Sequence, residues 1–143
     1  MSPSPSAVTV LLVEDDAVEV MAVERAFKKK KIANPVVVAK DGIEALAILR
    51  AEDGRAPLQR PFLILLDLNM PRMNGIEFLH QIRSDDQLSN TVVFVLTTSK
   101  ADEDRTAAYR EHVAGYIVKA NVGNDFVEVI TLLDAYWRIV ELP

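Results

Sequence analysis

Five short apolar runs alternate with longer stretches of helical character, and this alternation limits the possible folds more than any other feature of the sequence. The runs lie at residues 8–13, 35–39, 62–66, 91–96 and 115–118. Each has about the length of a strand and lacks an alternating polar face, which is typical of parallel strands covered on both sides. We therefore predict a parallel sheet between two layers of helices.

A helical pattern follows each run. Val20, Val23 and Phe27 repeat at helical spacing after the first run, and Asp41 is placed to cap a helix that carries Leu46. The other helices are predicted over residues 76–83, 102–111 and 125–141. Because right-handed crossovers join parallel strands, this (βα)5 order predicts a doubly wound α/β sandwich of three layers.

The composition is that of one ordinary globular domain. The chain has 143 residues, of which 50% are hydrophobic, a formal net charge of −5 and no cysteine. The lack of cysteine excludes disulfide frameworks, thiolate zinc sites and thiol nucleophiles. The acidic charge argues against a nucleic-acid surface, and we interpret the basic run at residues 28–31 as the solvated end of a helix.

No stretch has the character of a targeting signal or a membrane helix. Residues 1–7 are rich in serine and proline, and we expect them to form a disordered tail before a single domain over residues 8–143. No apolar stretch approaches the ~20 residues that a membrane helix needs. The sequence therefore indicates a cytoplasmic protein that contacts no membrane.

Polar and charged residues follow directly after four of the predicted strands. In chain order they are Glu14, Asp15, Asp16, Asp67, Thr97, Thr98, Ser99 and Lys119. In an open α/β sheet, ligands bind beyond the carboxyl ends of the strands. If the first and third strands are neighbours, several carboxylates meet there in one shallow cleft, opposite a hydroxyl and an ammonium.

The clustered carboxylates predict a divalent cation. Carboxylates at such short range repel one another unless a positive charge neutralises them. Mg²⁺ takes oxygen ligands and typically uses one or two carboxylates together with a phosphate. A carboxylate nucleophile, a cation, a lysine and a threonine are the parts of a phosphoryl-transfer site, so we expect Mg²⁺ and an aspartyl phosphate.

Four sequence blocks resemble those of a known family. They are VLLVEDD at residues 10–16, LILLDLNMPRMNG at 63–75, LTTS at 96–99 and GYIVK at 115–119. In order and in position at the strand ends they resemble the receiver domains of two-component response regulators, over residues 8–140. The resemblance implies a flavodoxin-like receiver fold with the strand order 2-1-3-4-5.

The resemblance also implies the roles of the site residues. Asp67 is the phosphoacceptor for a phosphohistidine on a sensor histidine kinase. The implied metal ligands are Glu14, Asp15, Asp67 and the backbone carbonyl of Asn69. Thr97 and Lys119 bind the phosphoryl group, and Tyr116 turns inward when Thr97 engages it. Asp16 lies outside the acidic pair and is placed to cap the first helix.

Two positions depart from the family pattern, and two others lie where the family tunes its dephosphorylation. Ala120 stands where the family usually has a proline after a cis peptide bond, which leaves the Lys119–Ala120 bond either trans or cis at a cost of roughly 2.5–4 kcal/mol. Thr98 replaces a small residue and narrows access to the acceptor. Ser99, like Asn69, occupies a position that tunes dephosphorylation in this family.

Two other functions are weighed against a phosphorylated response regulator. A phosphohydrolase with an aspartyl-phosphate intermediate needs a second acid two residues after the nucleophile, where this chain has Asn69. A pseudo-receiver that acts only as a scaffold is disfavoured by the complete set of site residues. His80 and His112 lie in helical segments away from the strand ends, so we expect a chain that receives phosphate and is not an enzyme beyond its own phosphorylation and dephosphorylation.

The last two predicted helices bear on output. The fourth has mainly Ala107, Ala108 and Tyr109 to bury, so we expect it to shift most easily. The fifth carries two apolar stripes, of which one can pack on the sheet and the other predicts a homodimer surface. The candidate dimer residues are Phe126, Ile130, Leu133, Tyr136, Trp137 and Val140.

The end of the sequence suggests how the signal leaves the domain. Because the chain stops shortly after the fifth helix, we expect output through a protein contact. The ending YWRIVELP and the long loop before the third strand are similar to those of receivers that partner bacterial phytochrome kinases.

Overall fold

Five parallel strands form one sheet in the computed structural model, which describes residues 8–123 and 125–143. The strand order is β2-β1-β3-β4-β5. The strands are β1 (Thr9–Val13), β2 (Val36–Ala39), β3 (Phe62–Leu66), β4 (Val92–Thr97) and β5 (Gly115–Val118). The helices are α1 (Ala17–Lys29), α2 (Gly42–Leu49), α3 (Gly75–Arg83), α4 (Asp102–Arg110) and α5 (Val127–Ile139). The predicted flavodoxin-like (βα)5 fold is confirmed.

The sheet is covered on both faces, as its apolar strands require. Every residue of β1 and β3 is buried. Leu11 and Val13 point into a core formed with α2, α3 and α4, whereas Val10 and Leu12 point into a second core formed with α1 and α5. Because successive side chains of a strand face opposite sides, both sets must be apolar.

Side-chain caps fix where the first three helices begin. Asp16 accepts a hydrogen bond from Val18 N–H at 2.9 Å and so caps α1, as predicted. Asp41 caps α2 through Glu44 N–H at 2.9 Å. Helices α1 and α2 start within four residues of a strand end, so their caps also fix the loops that surround the carboxyl edge of the sheet.

The predicted dimer surface on α5 is wrong for most of its residues, because they are buried. Four of the six candidates are at most 7% exposed, namely Phe126, Ile130, Leu133 and Trp137. They belong to the core between α5, α1 and the sheet, where the Trp137 ring stacks near Phe27 with centroids 6.5 Å apart. They therefore cannot form an interface between folded copies. Tyr136 is half-buried against Phe94, and Val140 is 40% exposed.

The apolar side of α4 is narrower than predicted. Ala108 is fully buried and Ala107 is half-buried, but Tyr109 is 49% exposed, so the expectation that it packs in the core is wrong. One small alanine is the buried anchor of this helix. In the part of the chain that the structure describes, no helix is both long and apolar enough to cross a membrane. The predicted tail, residues 1–7, lies outside the described residues.

Candidate functional site

Adjacent strands bring the acidic residues together. β1 pairs with β3 in a register that places Val13 beside Leu66, so that the next residues, Glu14 and Asp67, emerge side by side. Both are buried, at 5% and 7% exposure, while Asp15 is exposed. Carboxylate oxygens of Glu14, Asp15 and Asp67 all lie within 4.8 Å of one another. The three predicted acids therefore share one small cleft.

Burial makes the charged forms of Glu14 and Asp67 less favourable than they would be in water. Burial raises the pKa of Glu14 to about 8, and the negative charge of Asp67 acts in the same direction. Burial also raises the pKa of Asp67, although the charge of Lys119 opposes this. Oxygen donors with excess negative charge are the ligands that a hard divalent cation prefers, so the donor set fits such an ion.

Lys119 supplies positive charge at the same edge of the sheet. Its side chain is 11% exposed, and its ammonium donates to Glu14 Oε2 at 3.3 Å and to Glu19. Burial lowers the pKa of Lys119, but the hydrogen bond to Glu19 and the charges of Asp67 and Glu14 outweigh it and raise the pKa. The peptide bond from Lys119 to Ala120 is trans.

Thr97 and its neighbours lie at the end of β4, the strand that pairs with β3. Thr97 is the last residue of β4 and is fully buried, and its hydroxyl oxygen accepts a hydrogen bond from Ser99 N–H at 3.3 Å. Thr98 is exposed. The Ser99 hydroxyl donates to Asp104 Oδ2 of α4 at 2.6 Å. Ser99 thereby ties the start of α4 to the end of β4.

Tyr116 connects β5 to the same loop. Its hydroxyl donates to the Ser99 carbonyl at 3.0 Å, and its ring is half-buried. Burial raises the pKa of Tyr116. The loop after Thr97 and the ring of Tyr116 are therefore linked directly, so a movement of one changes the contacts of the other.

The loop from β3 to α3 is held in place by a glycine. A side chain at Gly75 would place its Cβ 2.7 Å from Leu68 Cα and 2.8 Å from the carbonyl oxygen of Asp67. Gly75 N–H also donates to the Leu68 carbonyl at 2.9 Å. Asn69 is exposed within this loop, and its N–H donates to Asp67 Oδ1 at 3.3 Å. Close approach of the backbone thus sets the position of Asp67.

An ion pair that the sequence reasoning missed ties this loop to α2. Arg72 contacts Asp41 Oδ2 through Nε at 2.7 Å and through Nη2 at 2.6 Å. Asp41 is buried at 2% exposure. Glu19 and Asp104 were also missed as site-adjacent residues. Asp41, Glu19 and Asp104 are recognisable in the sequence as charged residues, but no spacing relates them to the residues that they contact.

The two histidines lie outside the cleft. His80 and His112 are both exposed. His80 Nδ1 lies 3.4 Å from Glu111 Oε1, on the α3 and α4 side of the sheet. Neither histidine belongs to the acidic cluster found in the described residues.

Comparisons with known proteins establish the family. A family model for the response regulator receiver domain matches residues 10–131. The chain belongs to this family. Among curated relatives of this receiver, the response regulator Rcp1 of Synechocystis sp. is 34% identical over 135 residues, which cover 94% of the chain and 92% of Rcp1.

Solved structures point to one branch of the family. The phosphorylated cyanobacterial phytochrome response regulator RcpA superposes on this receiver with a TM-score of 0.84 at 35% identity, over 95% of this chain and 98% of RcpA. The Mn²⁺-bound form of Rcp1 gives a TM-score of 0.83 at 34% identity, over 95% and 99%. The receiver therefore resembles phytochrome-associated response regulators, as predicted.

Proposed function

We propose that Asp67 accepts a phosphoryl group from the phosphohistidine of a sensor histidine kinase in a reaction that depends on Mg²⁺. The observation that carries this proposal is the convergence of Asp67 with Glu14 and Asp15 within 4.8 Å, next to the ammonium of Lys119. Buried carboxylates beside a lysine and a hydroxyl match the needs of phosphoryl transfer, in which positioning and charge neutralisation do most of the catalysis.

Each group has a separate part in the transfer. An Asp67 oxygen forms the bond to phosphorus while the P–N bond of the phosphohistidine breaks, and its electron pair stays on the imidazole nitrogen. Mg²⁺, held by Glu14, Asp15, Asp67 and the Asn69 carbonyl, would supply positive charge to the phosphoryl oxygens. Lys119 binds one phosphoryl oxygen, and the Thr97 hydroxyl donates to another.

The signal then passes through the loop after β4. When Thr97 turns toward the phosphoryl group, it gives up its contact with Ser99 N–H, and the Tyr116 hydroxyl loses its fixed acceptor in the same loop. The buried residue of α4 is a small alanine, Ala108, so this helix has little apolar contact with the core. It is therefore the helix that moves most easily. The face of α4, β5 and α5 is thus the output surface, and Thr98 and Ser99 tune how long the signal lasts.

Phosphorylation by a small donor tests the central step. The protein is incubated with acetyl phosphate and Mg²⁺, and its intact mass is measured for the wild type, for Asp67→Asn and for the exposed control Asp53→Asn. We expect one phosphoryl adduct in the wild type and the control, and none in Asp67→Asn or in EDTA. An adduct that forms equally well in Asp67→Asn would refute the assignment.

The proposed kinase is of the bacterial phytochrome type. Two similar proteins of known structure support this partner: RcpA, a phytochrome response regulator at 35% identity, and AtBRR, a bacteriophytochrome response regulator at 33% identity. A purified, autophosphorylated phytochrome kinase should pass its phosphoryl group to Asp67 faster than a nitrate-sensing kinase does. Equal rates from both kinases would contradict the proposal.

We also propose a homodimer through the exposed side of α5. Leu132, Ile139 and Val140 are 46%, 82% and 40% exposed, and the first two lie on one side of the helix, seven residues apart. An exposed apolar strip of this kind supports association. Sedimentation should show a wild-type dimer and a folded monomer for Leu132→Glu combined with Ile139→Glu, while Thr131→Glu stays dimeric. A monomeric wild type would disprove this surface.

A further inference from the structure

Glu19 lies at the cleft without belonging to its metal-binding cluster. It sits in the first turn of α1, its side chain is 26% exposed, and its carboxylate accepts a hydrogen bond from the Lys119 ammonium. In the described residues, the acidic cluster with the geometry to hold a metal ion consists of Glu14, Asp15 and Asp67. Glu19 therefore touches the site through Lys119, and its negative charge adds to burial in raising the pKa of Asp67.

The starts of α2 and α3 show what a glutamate at this position ordinarily does. Three helices begin with an Asp or Asn cap that is followed three residues later by glutamate, and the pairs are Asp16 with Glu19, Asp41 with Glu44, and Asn74 with Glu77. In α3, Glu77 accepts the Asn74 N–H at 3.2 Å and completes a capping box. In α2, Glu44 accepts the Lys40 N–H at 3.2 Å. Both carboxylates bind backbone N–H groups at their own helix start.

Helix α1 has the same sequence pattern but a different arrangement. The N–H of Asp16 donates to Glu14 Oε1 at 3.2 Å, so Glu14 fills the place that Glu77 has in α3. The carboxylate of Glu19 is directed instead to Lys119, which is 100 residues away in the sequence. A side chain suited to local capping is thus used for a long-range contact with the site lysine.

The hydrogen bond to Glu19 fixes the position of the Lys119 ammonium. In the described residues, the hydrogen bonds of its ammonium go to Glu14 and Glu19. The side chain of Lys119 is 11% exposed, so water screens these contacts weakly. Glu19 therefore competes with Glu14 and Asp67 for the positive charge of the Lys119 ammonium.

We infer that Glu19 is a positioning residue for Lys119, which holds the ammonium on the α1 side of the cleft until a phosphoryl group on Asp67 draws it away. The inference rests on the proposed function of Asp67. Loss of the Glu19 charge has two opposite effects. Lys119 then turns fully to Glu14 and Asp67 and competes with the metal ion, so metal affinity falls. A phosphoryl group no longer competes with Glu19 for the ammonium, so its binding strengthens.

The test measures both affinities in one set of variants. Mn²⁺ binding is followed by electron paramagnetic resonance, and binding of beryllofluoride, a phosphoryl mimic, is followed by ¹⁹F NMR at saturating Mn²⁺. For Glu19→Gln we expect Mn²⁺ affinity to fall about tenfold and beryllofluoride affinity to rise about threefold to fivefold. Glu24→Gln, an exposed glutamate of the same helix, removes the same charge and should leave both affinities unchanged. Glu19→Asp should restore most of the Mn²⁺ affinity.

The outcomes separate this inference from the proposed function. If Glu19→Gln and Glu24→Gln behave alike while the wild type binds both probes, the inference is wrong and the proposed function stands. If both affinities fall together with the melting temperature, Glu19 is merely structural and the inference is again wrong. If the wild type binds no Mn²⁺, the proposed function fails and the inference fails with it.

Discussion

Replacing Asp67 with asparagine should stabilise the metal-free protein, because the change removes one negative charge from a crowded cleft. Carboxylate oxygens of Glu14 and Asp67 lie within 4.8 Å. At an effective dielectric constant of about 20, two unit charges at that distance repel by about 3.5 kcal/mol. The ammonium of Lys119 and partial protonation of Glu14 offset part of this repulsion. We therefore expect Asp67→Asn to gain about 1–3 kcal/mol at pH 8, or roughly 3–10 °C in melting temperature.

The stability gained by Asp67→Asn should increase with pH. The pKa of Glu14 in the folded chain is raised from an ordinary 4.5 to about 8, and that of Asp67 is raised as well, in both cases chiefly by burial. The folded state consequently binds more protons than the unfolded state between these two values. The free energy of unfolding of the metal-free wild type should fall as the pH rises through this window, and the advantage of Asp67→Asn should grow.

Urea unfolding measures this directly. The single tryptophan, Trp137, is buried and reports unfolding by fluorescence. The wild type, Asp67→Asn and the exposed control Asp53→Asn are compared in EDTA and in Mg²⁺, from pH 5 to pH 8. At a Mg²⁺ concentration of 100 times its Kd, the wild type should gain about 2.7 kcal/mol and Asp67→Asn less. If Asp67→Asn is no more stable than the wild type in EDTA at pH 8, the electrostatic account of the cleft is wrong.

The loop after β3 provides further predictions. Gly75→Ala should destabilise the protein by about 1–3 kcal/mol and slow phosphorylation, because its Cβ meets backbone atoms. Gly42→Ala, whose Cβ meets only the flexible Met73 side chain, should cost less in a thermal melt, and equal costs would contradict this reasoning. Arg72→Ala should cost about 1–2 kcal/mol at neutral pH, since it leaves Asp41 buried without its ion pair. Burial alone would raise the pKa of Asp41, but its hydrogen bonds and the charge of Arg72 lower it. The stability advantage of the wild type over Arg72→Ala should therefore shrink in acid, as Asp41 becomes protonated. A difference in stability that stays constant with pH would argue against this ion pair.

Most of the fold is predictable because the strands are buried on both faces. Such strands must be apolar at every position, and the runs at residues 62–66 and 115–118 match β3 and β5 without any shift. The run at residues 91–96 is displaced by one residue from β4, since Thr97 still pairs within the sheet. The acidic cleft is predictable for a related reason: strand order and register bring the residues after neighbouring strands together.

The error on α5 has a physical cause. Apolar residues occupy more than half of its circumference, so periodicity alone does not tell which stripe packs on the sheet. The stripe that contains Ile130, Leu133 and Trp137 is buried, and the residues toward solvent include Leu132 and Ile139. A helix with apolar residues on both sides needs tertiary contacts to decide its orientation.

The role of Glu19 could not have been predicted from local sequence. The pattern Asp16-x-x-Glu19 is a capping signal, and the same pattern does cap the helix start at Asn74 and Glu77. Whether such a glutamate binds its own helix start or a distant lysine depends on the strand order. Lys119 reaches Glu19 because β5 and β1 both end at the same edge of the sheet.

The position of the phosphoryl group tests the central claim most directly. The wild type is phosphorylated with acetyl phosphate and Mg²⁺, the acyl phosphate is reduced with borohydride, and the digested peptides are sequenced by mass spectrometry. The account predicts homoserine at position 67 alone, and only in samples that contained Mg²⁺. Homoserine at another acidic position, such as Asp15 or Asp41, or labelling at position 67 without a divalent ion, would contradict it.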